Sequence, residues 1–339
     1  MKKWPFLIFV VILFACGSSK NESDKQRYLI RGNEALSGQQ YKEALRFYTA
    51  SLGIDSCYVD ALNNIGIVYY ETGDYYKAIQ YYDASIQCNP SHWDSYFNRA
   101  SAFYEANELY RSLDDLEYLK RTIPDSAKVY FGLGLVYTKL RKLTEAQRAF
   151  EQAKTLGPQN EEVLVNLGTV HYYQENYMLA ESILNQALTI DSTEANGYNA
   201  LALLYADQDK YQEALSYVNK ALELEQNQPY FLNNRGYILL KLNQVKEAEN
   251  DINKSLVIDP RNGWVYRNKG LIYLDRGDYK NAIVAFKRAL ELDDFVDDIY
   301  YYMGMAYQKD GNLTEACAAF QKSIERGEKG TKEFQEHCN

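Results

Sequence analysis

Histidine, proline and basic clusters are what this chain lacks. It holds three histidines, His92, His171 and His337, in 339 residues. No two of them share the spacing of a metal site, and Glu336-His337-Cys338 alone is too little for one. The expectation is therefore no metal and no cofactor. Neither a glycine-rich phosphate loop nor a nucleophile elbow occurs, and the carboxylates are scattered, so the chain reads as a non-enzyme. Six prolines and a hydrophobic content of 46% argue against a disordered chain. The net charge is -9, and no lysine and arginine stripe offers itself to a polyanion, so no nucleic-acid partner is expected. Long apolar runs are also missing. The run Phe6–Ala15 (FLIFVVILFA) is half of the roughly 20 residues that a spanning helix needs.

That run follows Met1-Lys2-Lys3 and ends in Leu13-Phe14-Ala15-Cys16-Gly17. Basic residues before a short apolar stretch form a signal peptide, and the ending resembles a bacterial lipoprotein signal. The resemblance implies cleavage after residue 15 and acylation of Cys16 with more than one chain, which stable anchoring requires. Residues 16–24 would then be the lipidated cysteine and a polar tether. Gly17 after the cysteine is similar to the outer-membrane sorting pattern of that family. The implied location is the cell envelope, lipid-anchored in the outer membrane of a Gram-negative bacterium.

Stepping by 34 from Gly32 gives Gly66, Ala100, Gly134, Gly168, Ala202, Gly236, Gly270 and Gly304. Twelve residues further on lie Ala44, Ala78, Ser112, Ala146, Ala180, Ala214, Ala248, Ala282 and Ala316. Small residues at both places let two helices cross closely. Apolar residues within a unit recur at helical spacing, giving two amphipathic helices per unit. Pro90, Pro124, Pro158 and Pro260 close units. With these positions filled, the chain resembles tetratricopeptide repeats. The resemblance implies an all-α fold: an α-solenoid of nine 34-residue helix-turn-helix repeats in a right-handed superhelix. The repeats are 25–58, 59–92, 93–126, 127–160, 161–194, 195–228, 229–262, 263–296 and 297–330, with a cap at 331–339. The third repeat departs most, and Leu119 in place of Ala or Ser predicts altered stacking there.

Numbering each repeat from Lys25, the family's concave face is lined from positions 2, 5, 9, 12 and 13. Of the 32 tyrosines, 18 fall on core positions instead. The groove positions hold Tyr70, Phe97, Tyr104, Phe131 and Tyr172, and later Tyr173, Tyr230, Tyr237, Trp264 and Tyr301. Asn64, Asn98, Asn166, Asn234 and Asn268 share position 6. An amide can donate to and accept from a peptide backbone of any sequence, and the row resembles the asparagine ladder of peptide-gripping members. The expected ligand site is Tyr70, Phe97, Tyr104, Phe131 and Tyr172 beside Asn64, Asn98 and Asn166. His171, at a core aromatic position, reads as packed interior. A terminal-carboxylate clamp is not expected, because Leu29 and Asp94 stand where basic residues would be.

Function at this point is an envelope scaffold or adaptor that binds an extended peptide or protein partner in its groove. Lipoproteins of this build resemble adaptors for secretion, pilus assembly or peptidoglycan enzymes. The alternative is a glycan-binding component of polysaccharide export or capture, stacking sugars on the same aromatics. Four cysteines remain beyond Cys16 in a compartment that permits disulfides. Cys317–Cys338 is expected to staple the cap onto the ninth repeat, and Cys57–Cys88 is a second candidate pair.

Overall fold

The computed structural model describes the backbone of residues 8–328 and the side chains of residues 21–328. Residues 1–7 of the expected signal, the cap 331–339 and Cys338 lie outside the described residues. The chain divides into two units, 1–159 and 160–339.

In the first unit four helix pairs follow one another: α1 (Ile8–Ser37) and α2 (Tyr41–Leu52), α3 (Val59–Glu71) and α4 (Tyr75–Cys88), α5 (Trp93–Glu105) and α6 (Leu109–Thr122), α7 (Ala127–Lys139) and α8 (Leu143–Leu156). The second unit has five: α9 (Glu161–Tyr173) and α10 (Tyr177–Ile190), α11 (Ala195–Asp207) and α12 (Tyr211–Leu224), α13 (Pro229–Lys241) and α14 (Val245–Ile258), α15 (Gly263–Asp275) and α16 (Tyr279–Leu292), α17 (Ile299–Lys309) and α18 (Leu313–Glu325). No strand occurs among the described residues. Within each unit each helix packs on its partner, and each second helix packs on the first helix of the next pair. Within each unit the first helices of successive pairs also touch, so they form the inner layer and the second helices the outer one.

The small residue at position 8 lies flat beneath the side chain at position 24 of its own repeat. A Cβ built on Gly134 would sit 2.5 Å from the ring of Phe150, and one on Gly168 would sit 2.8 Å from Leu184. Tyr48, Tyr82, Phe150, Phe286 and Phe320 each stand opposite glycine (Gly32, Gly66, Gly134, Gly270 and Gly304). Where the small residue is Ala100 or Ala202, position 24 is the aliphatic Leu116 or Val218. All nine side chains at position 20 are buried against this contact.

The turn inside each repeat needs one residue with positive φ. Gly73, Gly277 and Gly311 supply it in three repeats. Gln39, Asn107, Arg141, Glu175, Asp209 and Asn243 supply it in the other six, with φ between 55° and 61°. Outside glycine this conformation is strained by the Cβ.

One local departure from the sequence reading stands out. Residues 16–24, expected to be a tether, belong to α1 and are helical. No proline breaks this stretch, and Lys25–Glu22 and Arg27–Asp24 pair one turn apart at 2.9 and 3.1 Å. In the third repeat Leu119 is fully buried, in one cluster with Leu116, Val129 and Leu133. Serine at the same register donates instead to the first carbonyl of its repeat, as Ser51 does to Lys25 (2.9 Å) and Ser255 to Pro229 (2.7 Å). Leu119 replaces that hydrogen bond with apolar volume.

A disulfide joins Cys57, in the loop after α2, to Cys88 at the end of α4, with a Cα–Cα distance of 5.5 Å. Cys317 is also held in a disulfide.

Three consequences are measurable by urea unfolding. Gly66→Ala should destabilise the chain by about 1–3 kcal/mol, because the Tyr82 ring has no room to retreat. Arg141→Gly should stabilise it by up to about 1 kcal/mol by removing the strained turn conformation. Cys57→Ser with Cys88→Ser, which opens a loop spanning 31 residues, should cost about 3–4 kcal/mol in the chain-entropy treatment.

Candidate functional site: the concave faces

In the first unit the inner face is built by α1, α3, α5 and α7. Tyr70 and Tyr104 leave the last turns of α3 and α5, one repeat apart, and both are half-buried. The Tyr70 ring packs on Tyr75 with centroids 5.6 Å apart. Burial, with Glu105 nearby, pushes its hydroxyl pKa up to about 12. Lys139 lies 4.4 Å from the Tyr104 ring centroid and donates from Nζ to the Tyr104 carbonyl at 3.2 Å. Burial lowers the Lys139 pKa. Phe97 is only 8% exposed and belongs to the core, with Lys128 4.6 Å above its ring. Its phenyl fills space against the fourth repeat, so it is a wall beneath the groove rather than a free contact. Phe131 is half-buried and leans on Phe150, centroids 5.8 Å apart.

The asparagines have partners of their own. Asn64 Nδ2 donates to Asn33 Oδ1 at 2.8 Å, and Asn98 Nδ2 donates to Asn63 Oδ1 at 3.0 Å. In the second unit Asn234 bonds Asn199 at 2.9 Å, and Asn268 bonds Asn233 at 2.8 Å. Each amide therefore links its first helix to the first helix of the preceding repeat. Asn166 donates instead to the carbonyl of Glu162 in its own helix, at 2.9 Å. This differs from the ladder expectation: one donor of every amide in the row is engaged within the protein, and four of the five stitch repeats together. The burial of Asn63, Asn233 and Asn268 is the physical reason, since a buried amide must be paired.

The second unit carries the richer face. On α9, Tyr172 packs against Tyr173 and Tyr177 with centroids 5.3 and 6.3 Å apart. Burial, with Asp207 and Asp297 nearby, holds its hydroxyl pKa well above the usual value. Trp264 and Tyr237 flank Arg267, whose guanidinium carbon lies 4.9 and 4.7 Å from their ring centroids. Tyr301 and Tyr302 adjoin, 5.3 Å apart. Burial also raises the Tyr302 pKa, opposed by the charges of Arg267 and Lys241. Sequence reading missed Arg267. Its register holds Leu, Asn, Phe, Val or Tyr in the other repeats, and an arginine beside Lys269 passes for a solvated charge.

One constellation imitates a catalytic site. His92 Nδ1 lies 2.8 Å from Ser95 Oγ, and His92 Nε2 lies 3.6 Å from Asp60 Oδ1. Ser95 is 0% exposed, and its oxygen also contacts Ser85 at 2.7 Å and Asn63 at 3.1 Å. A nucleophile sealed in this way meets no substrate, and the group serves as a polar plug between the second and third repeats. His171 is buried. Among the described residues no group of three or more His, Cys, Asp or Glu is placed to hold a metal ion.

Tetratricopeptide repeat models match residues 59–92, 127–160, 159–227, 199–263, 270–311 and 298–326. Together these span more than half of the chain, which belongs to the tetratricopeptide repeat family. No curated protein matches it. Among solved structures, the Cut9–Hcn1 hetero-tetramer of the APC/C is similar, with a TM-score of 0.67 at 17% identity over 88% of this chain. The chain spans 59% of the length of that structure's chain. A repeat protein of Parabacteroides merdae aligns over 73% of this chain and 98% of its own, with TM-score 0.58 and 17% identity. Pseudomonas aeruginosa PilF aligns over 62% of this chain and 96% of its own, with TM-score 0.54 and 17% identity. At these identities the likeness is one of fold.

Removing one stitch tests the reassigned amide row. Asn98→Ala leaves Asn63 without its neighbour's donor and should lower stability by about 1–2 kcal/mol in thermal unfolding. An amide that served only a ligand would leave the melting temperature unchanged.

Proposed function

We propose that this protein is a lipid-anchored scaffold of the bacterial cell envelope that holds an extended segment of a partner protein against its concave face. Tetratricopeptide repeats support protein binding in general. None of the matched family models is catalytic. The anchor rests on the lipoprotein-like ending at Cys16. Among the described residues no helix is long and apolar enough to cross a membrane.

The observation that carries the choice of ligand is the state of the groove rings. A sugar stacks on an open aromatic face, yet Tyr104 carries Lys139 on one face and Phe97 is buried beneath the groove. Tyr70 leans on the half-buried Tyr75, and Phe131 on the core ring of Phe150. Half-buried aromatics beside lysines suit a polypeptide, which supplies apolar side chains and acidic groups in alternation. This favours the peptide reading over the glycan reading.

Two measurements test it. Cys16→Ala should abolish labelling by a fatty-acid probe and release the protein from membranes; labelling at the normal level would remove the anchor from the account. Tyr104→Ala with Phe131→Ala should weaken binding of the partner crosslinked in intact envelopes by at least about tenfold, with helicity retained. Unchanged affinity would move the site away from the first unit's concave face.

A further inference from the structure

Three arginines on first helices show how this fold treats a cation reaching inward. Arg99 Nε and Nη2 donate to both oxygens of Asp115 at 2.8 and 2.6 Å. Arg235 donates in the same way to Asp251 at 2.6 and 2.9 Å. Each is held by the carboxylate fork that a guanidinium fits best. Arg267 is more deeply buried, at 5% exposure, and makes no ion pair with a described carboxylate.

Its donors go to neutral oxygens. Nε and Nη2 both donate to Asn268 Oδ1, at 3.1 and 2.9 Å, and both contacts are buried. Nη1 reaches only the Asp297 carbonyl, at 3.4 Å, and this contact is partly open. That distance is beyond the usual range of an N–H···O bond. The rings of Tyr237 and Trp264 hold the plane of the group, and Lys241 adds a second cation 5.4 Å from the Tyr237 ring. A buried cation lacking a counter-ion is costly unless something else requires it. Here Nη1, which points to the exposed Asp297, is the nitrogen with the poorest hydrogen bond. A planar carboxylate on the Nη1–Nη2 end would supply the charged partner that Arg99 and Arg235 have, through a different edge from their Nε–Nη2 fork.

Resting on the peptide-binding reading above, we infer that Arg267 receives a side-chain carboxylate, Asp or Glu, from the bound segment in the concave face of the second unit. Tyr237 and Asp297, which both contact Arg267, belong to the repeats on either side of its own, so the seat lies along the path of a continuing chain rather than at its end.

The test uses the whole mature protein and a displayed library of random nonapeptides with blocked termini, which present no terminal carboxylate. Wild type should enrich peptides with an acidic residue at a fixed place. The tightest of them should bind Arg267→Gln about 30-fold or more weakly. Arg267→Lys, which keeps the charge and loses the fork, should recover part of that affinity if the charge acts on the ligand. Replacing the peptide's Glu by Gln should reproduce the loss on wild type and cost nothing further on Arg267→Gln. Enriched peptides without an acidic preference, or an acidic preference that survives Arg267→Gln, would overturn the inference alone. Enrichment of no peptide at all would overturn the peptide-binding reading and the inference with it. Helicity and melting temperature of each variant separate a folding defect from lost recognition, and Arg267→Lys carries the test if Arg267→Gln fails to fold.

Discussion

Every repeat depends on one contact, the approach of a bulky side chain at position 24 to a missing or minimal side chain at position 8. The ring of Phe286 covers Gly270 as the ring of Tyr82 covers Gly66, and both rings are fully buried. Any Cβ larger than the pocket forces the two helices apart, and the whole pair then changes its angle to the next. Because each repeat touches only its neighbours, an error at one pair is passed along the array rather than absorbed by a single large core. Every ring at position 24 stands over glycine, and the aliphatic side chains stand over glycine or alanine, so the contact is tuned repeat by repeat.

Once the pairs are set, their first helices face inward together, and what lies there is free to vary. The chain uses part of that freedom for itself. Asparagine amides bridge successive inner helices in both units, and the arginines at Arg99 and Arg235 tie inner helices to outer ones through Asp115 and Asp251. These polar links are directional, so they fix register where apolar packing alone tolerates sliding. The aromatic remainder of the concave face, with lysines laid over it in the first unit and Arg267 set within it in the second, takes no part in these links.

The fold was legible in the sequence because its determinants are local and repeated. The step of 34 through glycine and alanine and the paired apolar periodicities state the same helix pair nine times, and closing prolines mark four of the units. The site was less legible. Register identifies which residues face inward but not what they touch, so Phe97 reads as a groove contact although it is buried, and the asparagine row reads as a ladder although it joins repeats. Arg267 escaped notice for the opposite reason: a single departure from the pattern carries no periodic signal, and its lack of a counter-ion is visible only in three dimensions. The helical run through residues 16–24 was hidden by composition, since serine, asparagine and glycine there suggest a tether while the charge spacing supports a helix.

The central claim, that the concave faces hold a partner's extended segment in the envelope, is tested most directly by site-specific photocrosslinking in intact cells. A photoreactive residue placed at Tyr104 or at Trp264 should crosslink to protein, and the linked peptides should map to one contiguous stretch of a partner. The same probe at Met178, on the outer layer and 88% exposed, should give none. Crosslinks confined to Met178, or products from the concave positions that disappear on glycan digestion, would contradict the account.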